Sequence, residues 1–124
     1  MKFKYKTAKT LEERKNEYRK VIEENPGKIG IICEKAPTKN KNDTIPEIDK
    51  SKYLIKEDFT ITQFTSIIRK KLNMDQKDAL FFLANGKTSL SGNSTMSEIY
   101  QKYKDEDGFL YIAYAAEEIW GKKI

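Results

Sequence analysis

A single cysteine, Cys33, and the absence of any histidine limit the chemistry this sequence can do. One thiol cannot close an internal disulfide, and without imidazole the usual zinc constellations and every histidine-based catalytic triad are out of reach. Cys33 ends the apolar run Ile29-Gly-Ile-Ile-Cys, which reads as a buried, inert thiol and not as a nucleophile. The other concentration of reactive groups is the acidic run Asp105-Glu-Asp. No base, nucleophile or metal-ligand set accompanies those carboxylates, so the expectation is a solvated turn, with no catalytic residue, no metal and no cofactor. The sequence points to a protein that binds and does not catalyse.

What it would bind is constrained by charge. Lysine and arginine number 24 against 19 acidic residues, and the excess is uneven. Met1 to Lys56 holds fifteen basic and nine acidic residues, whereas Glu57 to Ile124 holds nine and ten. Such a basic half suits an anionic membrane, nucleic acid or an acidic peptide, and charge alone does not choose among them. With 38% aliphatic and aromatic and 35% charged residues, a chain of 124 fits one globular domain with a heavily charged surface. The uncharged runs are too short to cross a bilayer, and Met1 to Thr10, with four lysines, shows no secretory signal. The expected location is the cytosol.

The elements that must position any binding residues follow from periodicity. Thr10 caps a helix to about Glu24 with Glu13 as its capping-box partner, and Leu11, Tyr18, Val21 and Ile22 form the apolar stripe. Phe3 and Tyr5 sit in a segment able to form a short extra helix. Ile29 to Glu34 reads as a strand, Lys35 to Thr44 as a projecting loop, and Tyr53-Leu-Ile as an edge strand bordered by Lys50, Lys52 and Lys56. Thr60 caps a helix whose Phe64, Ile67, Ile68 and Leu72 share one face. Ala79 to Ala84 is a central strand, Asn85-Gly86 a tight turn into a short return strand, and Ser89 to Ser94 a polar loop. Thr95 opens a helix with Met96, Ile99, Tyr100 and Tyr103 inward, and Phe109 to Tyr114 alternates as the last strand. The order predicts an α+β β-grasp, a sheet burying its apolar face on a helix, preceded by extra helical structure.

Five segments in this order resemble the ubiquitin-like modifiers called autophagy-related protein eight, particularly the branch of GABA-receptor-associated protein (GABARAP). They are Met1-Lys-Phe with Tyr5-Lys, Cys33-Glu-Lys-Ala-Pro, Ile45-Pro-Glu-Ile-Asp-Lys before Lys52-Tyr-Leu, Asp78-Ala-Leu-Phe-Phe, and Glu106-Asp before Phe109-Leu-Tyr-Ile-Ala-Tyr. The resemblance implies a ubiquitin-like β-grasp with two additional N-terminal helices: one domain over 1–121, its helical extension over about 1–25 and its tail over about 116–121. It also implies that a cysteine peptidase cuts after Gly121 and removes 122–124, that activating and conjugating enzymes carry the glycine as a thioester, and that it ends amide-linked to phosphatidylethanolamine. The autophagosomal membrane would then be the site of action.

The same resemblance implies a groove for peptides of the pattern aromatic-x-x-aliphatic from cargo receptors, added as a strand to the sheet edge. Its aromatic pocket would use Glu17, Val21, Ile32, Lys52, Leu54 and Phe109, and its aliphatic pocket Tyr53, Ile55, Phe59, Phe64, Ile67 and Ile68. Lys28, Lys50, Lys52 and Lys71 would, as a cluster, attract the acidic residues that often precede such peptides. Three departures from the family pattern bear on specificity. Gly30 and Lys56 stand where proline is usual, the first expected to loosen the aromatic pocket, and the 38–46 loop is long. The alternative is a domain never conjugated, whose lysines interleaved with Phe3, Tyr5 and Tyr18 bind tubulin tails or RNA, although no specific nucleic-acid motif is present.

Overall fold

The computed structural model describes residues 1–38 and 41–116. Its elements are α1 (Lys4–Ala8), α2 (Leu11–Glu24), β1 (Lys28–Lys35), β2 (Lys52–Lys56), α3 (Ile61–Lys71), β3 (Phe81–Ala84), β4 (Thr88–Leu90), α4 (Met96–Tyr103) and β5 (Leu110–Ala115). Helices α2, α3 and α4 begin with reciprocal capping boxes, Thr10 with Glu13, Thr60 with Gln63 and Thr95 with Glu98. Each box satisfies two backbone N–H groups that a helix start would otherwise leave without partners. Asn85 and Gly86 take φ of 55° and 73°, the mirror-image turn that folds β4 back on β3.

The strands form one sheet in the order β2-β1-β5-β3-β4, antiparallel throughout except for the parallel β1–β5 pair. One face buries Ile31, Cys33, Ile55, Leu110 and Ile112 against Phe64 and Ile68 of α3 and Ile99 of α4. The other face takes the N-terminal helices, with Phe3, Tyr5 and Tyr18 packed on Ile32, Leu83, Phe109 and Tyr111. A sheet covered on both sides corrects the reading of β5. Its residues are buried at every position and do not alternate. β5 also holds the centre of the sheet, while β3 is one strand in from the β4 edge and starts at Phe81, since Ala79 is exposed. Ser89 and Leu90 belong to β4 and not to the loop. Cys33 is fully buried, and burial pushes its thiol pKa up, as expected of an inert core thiol. Among the described residues no helix is long and apolar enough to cross a membrane.

The residue that α2 buries is a charge. Leu11, Tyr18, Val21 and Ile22 are all half-buried, whereas Arg14 is 7% exposed and Asp107 3%. The expected solvated acidic turn is therefore largely a buried ion-pair site. Asp107 Oδ2 accepts from Arg14 Nη1 at 2.7 Å and from the Tyr111 hydroxyl at 2.6 Å, and Oδ1 accepts from the Phe109 N–H at 2.7 Å. Asp105 lies 3.6 Å from Arg14 and accepts from Lys6 of α1. Burial works against the Arg14 charge, but hydrogen bonds to Tyr111 and Asp107 outweigh it and raise its pKa. Burial likewise opposes ionisation of Asp105. The Lys6 hydrogen bond, the Asp107 N–H and the nearby Lys6 and Arg14 charges overcome that and hold its carboxyl below the ordinary aspartate value.

Beside this pair, two glycines clasp the Tyr18 ring. A Cβ on Gly108 would stand 2.5 Å from Tyr18 Cδ2, and one on Gly30 would stand 3.1 Å from Tyr18 Cε1 and 3.0 Å from Phe109 Cε1. Gly30 thus admits two rings to the backbone of β1. Tyr18 meets Phe109 edge-on at 5.0 Å and its hydroxyl bonds that of Tyr100 at 2.9 Å.

Gly108 also sits at φ +104°, so Gly108→Ala adds both strain and a clash. We expect a loss of roughly 1–3 kcal/mol in denaturant-induced unfolding, and an unchanged midpoint would contradict the clasp. A carboxylate whose folded pKa is depressed stabilises the fold above its unfolded pKa and stops doing so as pH falls through the folded value. Lys6→Met should therefore lower stability at pH 7, and its difference from the parent should shrink below about pH 4, the ordinary aspartate range. A difference that stays constant to pH 2 would show that Asp105 is not the group involved.

Candidate functional site

β2 is an outer strand of the sheet, and its pairing register decides what its free side offers. Cys33 donates its N–H to the Ser51 carbonyl at 2.7 Å and Glu57 donates to Gly27 at 3.2 Å. Opposed residues in an antiparallel ladder alternate between bonded and non-bonded pairs. With Ile31 opposite Tyr53 and Ile29 opposite Ile55, residues 51, 53, 55 and 57 turn their backbone groups to β1. Lys52, Leu54 and Lys56 therefore turn theirs outward. Among the described residues no backbone hydrogen bond covers Lys52 or Leu54 on that side, whereas the Lys56 carbonyl accepts from the Phe59 N–H at 3.1 Å.

Side chains divide by the same alternation. Tyr53 and Ile55, each 6% exposed, face α3, while Lys52 and Leu54 are half-buried on the α2 side. Of the predicted aromatic pocket, Ile32 and Phe109 lie fully buried in one cluster. Glu17 of α2 and Lys52 of β2 meet in a direct ion pair across its mouth, and Val21 is half-buried on α2. The predicted aliphatic residues all join the α3-side core: Tyr53, Ile55, Phe64 and Ile68 buried, Phe59 and Ile67 half-buried against them. Those last two form the lip. An extended peptide places residues i and i+3 on opposite faces, so an aromatic-x-x-aliphatic strand would straddle this edge with one anchor on each side.

Sequence reasoning missed Tyr5 and Lys9 in this groove. Lys9 bonds the second Glu17 oxygen at 2.5 Å, and Lys9 and Lys52 each stand 5.3 Å from the Tyr5 ring centre. Tyr5 packs edge-on to Phe109 at 5.4 Å, and burial, then the Asp107 charge, raises its hydroxyl pKa to about 12. Burial and the neighbouring Lys9 charge lower the Lys52 pKa. The Tyr5 and Lys9 positions follow from α1, whose first N–H groups at Lys4 and Tyr5 donate to the Glu34 carboxylate at 2.7 and 3.0 Å. No periodicity in a five-residue helix announces that contact. A cleft of about 360 Å³ between Tyr5, Ala8, Glu34, Ile48 and Ser51 continues past the start of β2.

The lysines do not form the single cluster expected. Lys50 lies over the Tyr53 ring at 5.7 Å beside Lys52, whereas Lys28 is opposite Lys56 at the other end of the ladder, about 13 Å along the strand. Lys71 ends α3 and is exposed. Phe3, Tyr5 and Tyr18 are committed to β5 and to the groove, so they offer no exposed stacking platform of the kind the RNA alternative needs. Gly121 lies outside the described residues.

A mixed sheet that packs α3 on one face and carries two added helices on the other defines a ubiquitin-like β-grasp protein. Comparisons place it more narrowly. A family model described as "Autophagy protein Atg8 ubiquitin like" matches residues 13–121. Human microtubule-associated protein 1 light chain 3 gamma is 38% identical over 117 residues, which are 94% of this chain and 78% of that protein. The crystal structure of Trypanosoma brucei ATG8 matches with a TM-score of 0.84 at 41% identity, over 98% of this chain and all of that one. The chain belongs to the Atg8 family of ubiquitin-like autophagy proteins.

The register makes a checkable statement about the free protein. Amide hydrogens of Tyr53 and Ile55 should exchange slowly and those of Lys52 and Leu54 fast in hydrogen-exchange NMR. Equal protection at all four would mean that the outer side of β2 is already covered.

Proposed function

We propose that this protein is cut after Gly121, conjugated to phosphatidylethanolamine, and acts on the autophagosomal membrane as an adaptor that captures aromatic-x-x-aliphatic peptides of cargo receptors and autophagy machinery on β2. The observation that carries the peptide reading is the outward-facing backbone of Lys52 and Leu54 between two apolar side-chain clusters, one on each face of the sheet. Main-chain hydrogen bonds would supply affinity and the two clusters selection. The Glu17–Lys52 ion pair at the mouth of the aromatic recess would open to admit the ring.

Family membership supports the conjugation reading, and the family match runs to residue 121. A cysteine peptidase would hydrolyse the bond between Gly121 and Lys122; the freed carboxylate would be converted to a mixed anhydride at the expense of a nucleoside triphosphate, and an enzyme cysteine thiolate would displace the phosphate-bearing leaving group to form a thioester. The headgroup amine then attacks the thioester carbonyl, an amide forms and the thiolate leaves. Glycine suits that step because nothing on its Cα hinders the approach of the nucleophile. Two acyl chains, at about 0.8 kcal/mol per buried CH₂, make the anchoring stable, moving the protein from cytoplasm to membrane. In this reading the protein is a substrate of enzymes and not an enzyme, needs no cofactor and has no specific nucleic-acid partner. Tubulin tails remain the partner of the alternative reading, in which conjugation plays no part.

Reconstitution with the trimming peptidase, the activating and conjugating enzymes and phosphatidylethanolamine vesicles tests the proposal. The parent should give a lipidated product detectable by mass, and Gly121→Ala should give none. An equal yield from the Ala variant would exclude Gly121 as the attachment point.

A further inference from the structure

Two lysines face each other on the same edge, and among the described residues neither has an ion-pair partner. Lys28 and Lys56 are directly opposed in the β1–β2 register. The parity of the ladder makes them a non-hydrogen-bonded pair, the kind in which cross-strand side chains come closest, and like charges so placed destabilise a sheet. Neither lysine belongs to any of the ion pairs among the described residues. By alternation with Gly30 and Leu54 both project to the α2 face, Lys28 half-buried and Lys56 exposed. Glu57 follows on the strand but alternates to the opposite face, and neither it nor Asp58 or Glu24 forms an ion pair.

We propose that Lys28 and Lys56 together receive a carboxylate from the bound peptide, at the position directly after the aliphatic residue. The proposal rests on the groove reading, which fixes direction as well as place. The aromatic recess lies at Lys52 and Leu54, and the aliphatic one extends toward Ile55 and Phe59, so the visiting strand runs parallel to β2. Its residue i+3 points to α3, and i+4 swings back to the α2 face about 3.3 Å further along, level with Lys56. A glutamate or aspartate there would neutralise the pair. Lys56 is therefore a specificity-determining residue, and Lys28 its partner.

The test uses fluorescence anisotropy at low salt with one aromatic-x-x-aliphatic peptide carrying Glu, Ala or Lys at i+4. The parent should bind the Glu peptide about three- to fivefold more tightly than the Ala peptide, and the Lys peptide more weakly still. Rising salt should shrink the difference, and the Lys28→Gln, Lys56→Gln double variant should bind the Glu and Ala peptides equally. If the parent binds Glu, Ala and Lys peptides alike, the lysine pair is overturned and the groove stands. If it binds no peptide at all, the groove reading falls and the pair with it. Binding to phosphatidylserine vesicles that drops in the double variant, with the peptide preference unaltered, would assign the pair to a membrane and overturn the proposal.

Discussion

The arrangement depends on a buried ion pair between Arg14 and Asp107. Without it α2 would have little reason to lie where it does, because its apolar stripe is only half-buried and its sequence is mostly charged. Burying an arginine is costly unless its partners are well placed, and removing one partner of a buried pair costs about 3–5 kcal/mol. Here the carboxylate is held by three donors, two of them on the strand end and loop that lead into the centre of the sheet. The pair therefore ties the helix to the most buried strand. Lys6 and Asp105 extend the tie to α1.

What the tie achieves is a wall. With α2 pinned, Glu17 reaches Lys52 of β2, and Tyr18 packs on the cluster of Ile32 and Phe109 on that face of the sheet, opposite the α3 core. The glycine clasp on Tyr18 serves the same end at closer range, since it lets an aromatic ring lie directly on the backbone of β1 and of the loop before β5. An open strand edge is ordinarily a hazard, blunted by charge and shortness. β2 is five residues long with lysines at both ends, which discourages random pairing while leaving Leu54 accessible.

Much of this was legible in the residues. Thr10 with Glu13, Thr60 and Thr95 announced three helices, and Asn85-Gly86 announced the hairpin, because these signals are local. The edge character of Tyr53-Leu-Ile followed from flanking lysines. Less visible were contacts between segments far apart in sequence. Arg14 occupies the middle of the stripe formed by residues 11, 18, 21 and 22, so its inward direction was readable from helical spacing, yet a charge at that position suggested an interrupted face. Its partner lies 93 residues away in a run that resembles a solvated turn. β5 was misread as alternating because the helices covering its second face precede it by nearly the whole chain. The groove itself was placed by family resemblance, and the register then showed which backbone groups are free.

The central claim is that β2 accepts a parallel strand through Lys52 and Leu54. Scalar couplings transmitted through hydrogen bonds report such contacts atom by atom, between ¹⁵N amides of the protein and ¹³C carbonyls of a labelled aromatic-x-x-aliphatic peptide. The account predicts couplings at the Lys52 and Leu54 amides and none at Tyr53 or Ile55. Couplings at Thr88 to Leu90 on the opposite margin of the sheet, or a bound peptide with none to β2, would contradict it.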